Sequence, residues 1–485
     1  MGNIVRTRFA PSPTGYMHIG NLRTALFAYL YTKSQNGQFI LRIEDTDQGR
    51  YVEGAVDVIY NTLRIAGLSH DEGPDIGGDF GPYVQSERKH LYRSYAEELV
   101  ARGEAYYCFC DKSENNDSSE GYNRHCRSLT EKEVKALLDS GKSYVIRQRI
   151  PLSGTTSWDD LVYGKITVDN ATLDDQILLK SDGMPTYNFA NVVDDHLMGI
   201  THIIRGSEYL SSNPKYILLY NAFGWDMPQY IHLPLINGKN PDGTISKLSK
   251  RHGAVSFQAL VEDGYLPEAI INYIALLGWS PKSEQEIFSL EELIQNFTVS
   301  GVHKSPAVFD YQKLDWVNSQ HISMMDDNTF ATIARSYVDL EATNFENKWY
   351  KISSLLKPRI NKFSEINSKI DFLKNIDDYD VSLYVNKKNK STYETSIFMI
   401  EQSIQKIKLI ENWNEDNLFN EFSLLAESLG VKIGHLFWPV RIALSGLIAT
   451  PGGATDLLYI LGREESLLRL EKALIKLQNV LANIE

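Results

Sequence analysis

Residues 4–47 read IVRTRFAPSPTGYMHIGNLRTALFAYLYTKSQNGQFILRIEDTD, and this stretch decides the fold. Ile4 to Ala10 alternate as a strand does, Leu22, Ala25, Leu26, Tyr29 and Leu30 recur at helical spacing, and Phe39 to Ile43 read as a second strand. Strand, helix, strand predicts two parallel strands with a right-handed crossover and a ligand site at the C-terminal end of the first strand, beside the helix N-terminus. Pro11-Ser12-Pro13-Thr14-Gly15 lies where an anion would bind. His18-Ile19-Gly20-Asn21 then opens the helix. Backbone N–H groups at a helix start are unpaired and suit phosphate, Gly20 permits close approach, and His18 adds a donor for phosphate oxygens as charge develops. Alone, the tetrapeptide fits a plain helix-start histidine equally well.

The whole chain sets 62 acidic against 49 basic residues over 485, a net charge of −13, and is 43% hydrophobic. That length exceeds what one core organises, roughly 250–300 residues, so several packed units are expected. The acidic total excludes a broadly basic DNA-binding domain but leaves RNA open, which needs only a local basic face. No stretch reaches the roughly 18 apolar residues of a membrane span. MGNIVRTRFAPSP lacks a signal-peptide core, and Arg6 stands where a myristoylation motif wants Ser or Thr. The expectation is a cytoplasmic protein with neither membrane nor DNA as partner. The cysteines are Cys108, Cys110 and Cys126, an odd and clustered set that suits reduced thiols or metal ligands better than a disulfide framework.

A polar, loop-like run, DKSENNDSSEG (Asp111 to Gly121), interrupts the pattern, and a βα-type signal returns around Ile177 to Lys180 and Val192-Val193. An insertion is therefore expected to split the first domain. Beyond about Phe257 helical periods take over, as in Ala269, Ile270, Tyr273, Ile274 and Leu277, so the C-terminal half is expected to be all helical. The stripe Leu467, Leu470, Leu474, Leu477 and Leu481 needs a partner surface. Between Lys348 and Lys374 seven basic residues face two acidic ones, a local balance of +5, with Trp349, Tyr350 and Phe363 interleaved. Such a stretch suits either a solvated basic helix face or the phosphate contact and base stacking that grip single-stranded RNA.

Lys247-Leu248-Ser249-Lys250-Arg251 places three cations in five residues of a glycine-bearing loop. Paired with HIGN at the first βα junction, this run resembles the HIGH and KMSKS signatures of the class I aminoacyl-tRNA synthetases, which bracket ATP. Asn21, Leu248 and Arg251 depart from those signatures as the glutamyl branch does. RFAPSPTG (Arg8 to Gly15), RIEDTD (Arg42 to Asp47), PTYNFANVVDDHLMG (Pro185 to Gly199) and IIRGSEYL (Ile203 to Leu210) resemble the glutamyl-tRNA synthetases, over essentially the whole chain.

The resemblance implies an α/β plus all-α fold. A split Rossmann-like nucleotide-binding domain would occupy 1–107 and 190–255, with an acceptor-arm-binding insertion at 108–189. A stem-contact domain at 256–322 and helical anticodon-binding domains at 323–380 and 381–485 would follow. It implies a monomeric enzyme that uses ATP with Mg2+ to form glutamyl-adenylate and passes L-glutamate to the terminal ribose 2′-OH of tRNA(Glu). Some bacterial members also charge tRNA(Gln). The implied ATP-binding positions are His18, Gly20, Asn21, Lys247, Ser249 and Lys250. Of these His18, Lys247 and Lys250 are the catalytic set, the lysines neutralising the departing pyrophosphate.

Arg8, Ala10, Ser12, Glu44, Tyr187, Asn191 and Arg205 fall on the family's glutamate-pocket positions, with Glu208 beside them. The chemistry agrees, because glutamate presents two carboxylates and one ammonium. Arg8 and Arg205 can each grip a carboxylate bidentately and Glu44 can accept from the ammonium. Taken singly, Arg8 and Glu44 also fit structural ion pairs, and Tyr187 and Asn191, four apart, fit helix-surface neighbours.

The cysteine spacing resembles a zinc module of some bacterial members, in which Cys108, Cys110, Tyr122 and Cys126 would ligate Zn2+. His125 is chemically a better ligand than Tyr122 but adjoins Cys126, and Ser128 stands where other members have histidine. Arg359 falls where an arginine contacts the third anticodon base. Three rival functions are a shortened enzyme that glutamylates a modified tRNA base, a small-molecule nucleotidylyltransferase, and an inactive RNA-binding paralogue. The first two need no long helical extension, and the third needs no pair of intact phosphate motifs.

Overall fold

Strand β1 (Arg6–Phe9) runs through the Pro11–Gly15 segment into α1 (Ile19–Ser34), which returns the chain to β2 (Gln38–Leu41). The two strands are parallel, with Arg6 opposite Gln38 and Phe9 opposite Leu41. Thr7, Arg8, Phe9, Phe39, Ile40 and Leu41 are all buried, as parallel strands under helical cover are. The return into β2 passes so close to the chain before β1 that Gly37 has no room for a side chain: a Cβ there would stand 2.2 Å from the Val5 carbonyl oxygen. The computed structural model that shows this describes residues 4–50, 52–110, 122–249, 252, 256–338, 345–376 and 378–482. It divides into two units, Met1–Val317 and Asn318–Glu485.

After α2 (Ala55–Ile65) and α3 (Lys89–Ala101) come strand β3 (Ala105–Cys108), helix α4 (Glu131–Asp139) and strand β4 (Val145–Gln148). Next come the hairpin β5 (Thr155–Asp160) and β6 (Gly164–Asp169), then β7 (Ile177–Leu179). β3, β4 and β7 form an antiparallel sheet, and the strand signal around Ile177 is its edge strand. Val192 and Val193 lie buried in helix α5 (Tyr187–Leu197), which follows β7 as the βα-type signal of the sequence has it.

The chain continues through β8 (His202–Gly206), α6 (Asn213–Phe223) and β9 (Gln229–Leu233). β9 pairs in parallel with β8, and β5 joins its other edge at Asp160 opposite Tyr230. Residues 155–169, inside the stretch expected to be insertion, thus belong to the sheet that carries Arg205. Strands β10 (Ile236–Lys239) and β11 (Ile245–Lys247) form an antiparallel hairpin that ends on the KLSKR run.

β12 (Ala307–Phe309) pairs in parallel with β10. It interrupts a region expected to be all helical. Three residues carry too little periodicity to announce a strand, and the available edge of β10 sets their conformation.

The second unit is helical from Asp327–Arg335 to Arg463–Ala482. The last helix buries Leu470, Ala473 and Leu477, while Arg469 reaches inward to the carbonyls of Phe372, Leu373 and Leu444. These carbonyls end the helices Ile366–Lys374 and Ile433–Ser445, where the orphan acceptors and the dipole both favour a cation. Among the described residues no helix is long and apolar enough to cross a membrane.

Gly37→Ala is expected to lower the thermal unfolding temperature of the first unit, because the added methyl meets backbone rather than a movable side chain. A penalty of about 1–3 kcal/mol is expected from such overpacking. Thermal unfolding of the full chain followed by circular dichroism checks it.

Candidate active site

The two signature motifs meet at one cavity. His18, Gly20, Asn21, Glu208, Lys247 and Ser249 line a space of about 410 Å³, although more than two hundred residues separate the motifs. His18 caps α1, and its Nδ1 accepts the Gly20 N–H at 3.1 Å. Asn21 N–H in turn donates to the His18 carbonyl at 2.9 Å. The helix start is therefore not the open set of backbone donors expected from the sequence, since its own N-cap satisfies two of them. What faces outward instead is the imidazole edge: with Nδ1 accepting, the proton sits on Nε2, a donor for a phosphate oxygen. Burial, and then the nearby Lys247 charge, lower the His18 pKa and hold the ring neutral.

Lys247 ends β11, held opposite Asn237 of β10. The loop beyond it is pinned by a residue not singled out in the sequence. His252 Nδ1 takes the Ser249 N–H at 3.1 Å, and its Nε2 lies 2.9 Å from Asn240 Oδ1. Gly238 makes room for that ring, since a Cβ there would come within 2.6 Å of it. Lys250 and Arg251 lie outside the described residues.

Beside this cavity is a buried set of charges. Arg8 on β1 places Nε and Nη2 at 3.0 and 3.3 Å from the two carboxylate oxygens of Asp195 on α5. Arg42, just after β2, reaches Asp195 Oδ1 at 2.7 Å and Glu44 Oε1 at 2.9 Å. The expectation that Arg8 offers its whole fork to a ligand is thereby corrected: its Nε–Nη2 edge is occupied by Asp195, and the Nη1–Nη2 edge is left. Asp195 and Arg42, which the sequence did not single out, form the centre of this set. Burial opposes ionisation of Asp195, yet Arg8 and Arg42 outweigh it and lower its pKa. For Glu44 burial prevails over Arg42 and Arg8, and the pKa rises. Its second oxygen, Oε2, is buried without a hydrogen-bond partner among the described residues.

Arg205 on β8 differs from Arg8. Its Nε donates to His232 Nε2 at 3.3 Å, Nη2 donates to Asn213 Oδ1, and Nη1 is buried with no partner. Among the described residues no carboxylate stands within ion-pair distance of it, and its guanidinium carbon instead lies 4.6–5.6 Å from the Tyr209, Tyr216 and Tyr230 ring centres. Tyr187, the first residue of α5, feels both Glu44 and Arg205, and burial followed by the Glu44 charge raises its pKa. Asn191 is buried one turn on, and its Nδ2 donates to the Tyr187 carbonyl, so the pair does not form the exposed helix face that spacing alone allowed. Ala10 and Ser12 follow β1 beside Glu44, whose N–H donates to the Pro11 carbonyl.

Residues 4–316 match the family described as tRNA synthetases class I (E and Q), catalytic domain, and residues 329–474 match an anticodon binding domain. The chain belongs to the class I synthetases of this E and Q family. It is 53% identical to a glutamate–tRNA ligase of Clostridium novyi over 98% of this chain and 99% of that one. It superposes with a TM-score of 0.88 on a glutamate tRNA ligase of Elizabethkingia meningosepticum, crystallised in complex with its amino acid, at 38% identity and 98% and 99% coverage. The glutamate-tRNA synthetase of Elizabethkingia anophelis gives a TM-score of 0.87 at 36% identity, covering 98% of this chain and all 100% of that one. Class I synthetase chemistry brings ATP as a substrate.

In the insertion of this synthetase the thiols of Cys108, Cys110 and Cys126 lie within 4.8 Å of one another. The Tyr122 hydroxyl stands 3.2 Å from Cys108 Sγ. His125 is exposed and faces elsewhere, and Ser128 Oγ donates to the His125 carbonyl. Burial, then the neighbouring thiols, push Cys110 up to about 12, so without a cation beside it Cys110 resists ionising. Three converging soft donors that repel one another as anions suit a thiophilic divalent cation.

The basic stretch of the helical unit is less open than its sequence suggests. Lys351 pairs with Glu415 and Asp456, Lys357 with Asp327, and Lys348 lies over the Tyr459 ring. Phe363 is core, stacked between Phe330 and Tyr337, and Trp349 donates its indole N–H to the Ala331 carbonyl. Tyr350, 58% exposed, is the aromatic left for stacking in that stretch, and Arg359 is exposed with Nη1 on the Leu355 carbonyl.

His18, His196, His202 and His232 all have pKa values lowered below 6.5, burial being the first cause in each. The unfolded chain therefore binds more protons than the folded one just below the ordinary imidazole pKa. The stability contributed by keeping these rings neutral is intact above pH about 6.5 and is lost as pH falls through their depressed values. Thermal unfolding of the full chain between pH 7.5 and 5.5 is expected to shift to lower temperature on acidification, and His202→Gln is expected to flatten that slope.

Proposed function

We propose that this synthetase activates L-glutamate with ATP and transfers it to tRNA(Glu). The observation that supports this most strongly is the pair of buried polar atoms without partners among the described residues, Glu44 Oε2 and Arg205 Nη1, whose charges both act on Tyr187. One is an acceptor for an ammonium and the other a cationic donor for a carboxylate, and burying either without a partner is costly. An amino acid with an anionic side chain satisfies both and leaves a carboxylate over for reaction. Glutamine would set an amide NH2 against an arginine that has no acceptor, so it is rejected.

The α-carboxylate oxygen attacks the ATP α-phosphorus, the bond to pyrophosphate breaks, and glutamyl-adenylate forms. The neutral His18 donates from Nε2 to a phosphate oxygen, while Lys247 and Lys250 balance the charge that builds on pyrophosphate. Mg2+ accompanying ATP supplies further neutralisation of the phosphate oxygens. The terminal ribose 2′-OH of the tRNA then attacks the acyl carbon and AMP leaves.

The acceptor arm is assigned to the insertion, the tRNA stem to 256–322, and the anticodon to the two helical domains. Exposed Arg359 is assigned to the third base, where tRNA(Glu) and tRNA(Gln) differ. A monomeric, cytoplasmic enzyme fits this role.

ATP-dependent charging of total tRNA with radiolabelled glutamate tests the proposal, and absence of label overturns it. Arg205→Ala is expected to raise the glutamate KM roughly 30- to 150-fold, the loss of about 2–3 kcal/mol that a charge-assisted bond to a buried carboxylate carries.

Zinc is proposed as a structural ion held by Cys108, Cys110, Cys126 and Tyr122. Elemental analysis of protein purified without chelator is expected to find one zinc per chain. Cys110→Ser is expected to increase proteolysis of the insertion while leaving adenylate formation nearly unchanged, because a structural ion contributes folding energy locally.

A further inference from the structure

We propose that His232, oriented by Asp160, is a positioning residue for glutamate recognition: it holds the Arg205 guanidinium by an acceptor that carries no charge. The inference rests on Arg205 gripping a substrate carboxylate, as argued above.

Arg205 and His232 are register partners on the parallel strands β8 and β9, so their side chains project to the same face of the sheet. Asp160 ends β5 on the other side of β9. All three residues are buried, His232 and its Asp160 partner completely so at the side chain. Four N–H donors converge on the Asp160 carboxylate. Val162 and Tyr163 N–H reach Oδ1, each at 2.9 Å, and the His232 N–H and ring Nδ1 reach Oδ2 at 3.2 and 2.6 Å. Nδ1 facing a carboxylate must carry the proton, which leaves Nε2 as a lone pair. Arg205 Nε points at that lone pair from 3.3 Å.

The consequence is electrostatic as well as geometric. The guanidinium is fixed at Nε by His232 and at Nη2 by Asn213, so its plane is determined and Nη1 remains for a ligand. A carboxylate at position 232 would fix the same plane but would also neutralise the arginine, as Asp195 does Arg8. An imidazole placed between carboxylate and guanidinium orients the cation while keeping its charge uncompensated until an anionic ligand arrives. That is the state a carboxylate-selective site needs.

The experiment compares glutamate KM, ATP KM and kcat in tRNA charging for wild type, His232→Leu, His232→Gln, Asp160→Asn and Arg205→Lys. His232→Leu is expected to raise the glutamate KM at least 10-fold with ATP KM within twofold. His232→Gln, whose side-chain oxygen can replace Nε2 as acceptor, is expected to recover most of that loss. Asp160→Asn is expected to raise the glutamate KM as well, since its amide N–H favours the tautomer that points a donor at Arg205.

If His232→Leu and His232→Gln both leave glutamate KM unchanged while Arg205→Lys raises it, the positioning role is overturned and the Arg205 assignment stands. If Arg205→Lys also leaves it unchanged, the pocket assignment itself fails. A loss that falls equally on glutamate KM, ATP KM and thermal stability in the Gln variant would make His232 a merely structural residue, and would overturn the inference too.

Discussion

Asp194 and Asp195, neighbours on α5 and both fully buried, hold the catalytic unit together. Successive helix positions point about 100° apart, so the two carboxylates address different parts of the molecule. Asp195 takes Arg8 from β1 and Arg42 from the end of β2, whereas Asp194 takes Arg88, Gln85 and the Tyr92 hydroxyl around the start of α3. Breaking one such buried pair costs about 3–5 kcal/mol, because the remaining charge has no water to turn to. The helix that these contacts anchor is also the one whose first turns present Tyr187 and Asn191. Paired charges therefore set the position of the proposed amino-acid pocket at least as firmly as apolar packing does.

The same chemistry explains what the sequence could and could not reveal. Strand, helix and strand were legible because apolar periodicity is a local property, and the two phosphate motifs were legible because each is a short run of specific residue types. The partnership of Arg8 with Asp195 was not, since 187 residues separate them and neither carries a sign of which charge it will meet. The sequence placed Arg8, Glu44 and Arg205 in one pocket without distinguishing an arginine whose charge is already balanced from one whose charge is not. That distinction depends on Asp195 and His232, both inside buried segments where nothing in the local sequence says which partner a polar residue will meet. Phe363 erred in the opposite direction, as an aromatic in a basic stretch reads as a stacking surface until Phe330 and Tyr337 are seen to enclose it.

Three histidines near the two ligand regions show how backbone placement can fix side-chain chemistry. Their Nδ1 atoms face different groups, and the opposite edge of each ring follows. His18 Nδ1 meets the Gly20 N–H, so Nε2 must be the donor, on a ring that lines the cavity. His252 Nδ1 has both the N–H and the carbonyl of Ser249 at 3.1 Å, and it is Nε2, 2.9 Å from the acceptor Asn240 Oδ1, that is again the donor and ties the signature loop to its hairpin. His232 Nδ1 meets a carboxylate, so Nε2 becomes an acceptor and suits a guanidinium. A neutral imidazole has one donor and one acceptor, and committing one nitrogen to a fixed neighbour assigns the other without any change in residue type. Protonation would make every one of these edges a donor. His18 would keep its outward contact but lose the Gly20 cap, whereas His232 would turn a donor and a positive charge on Arg205. Protonation of His232 would therefore act against the Arg205 contact, whereas protonation of His18 would leave its outward donor in place, and the burial that lowers the His232 pKa protects the more vulnerable of the two.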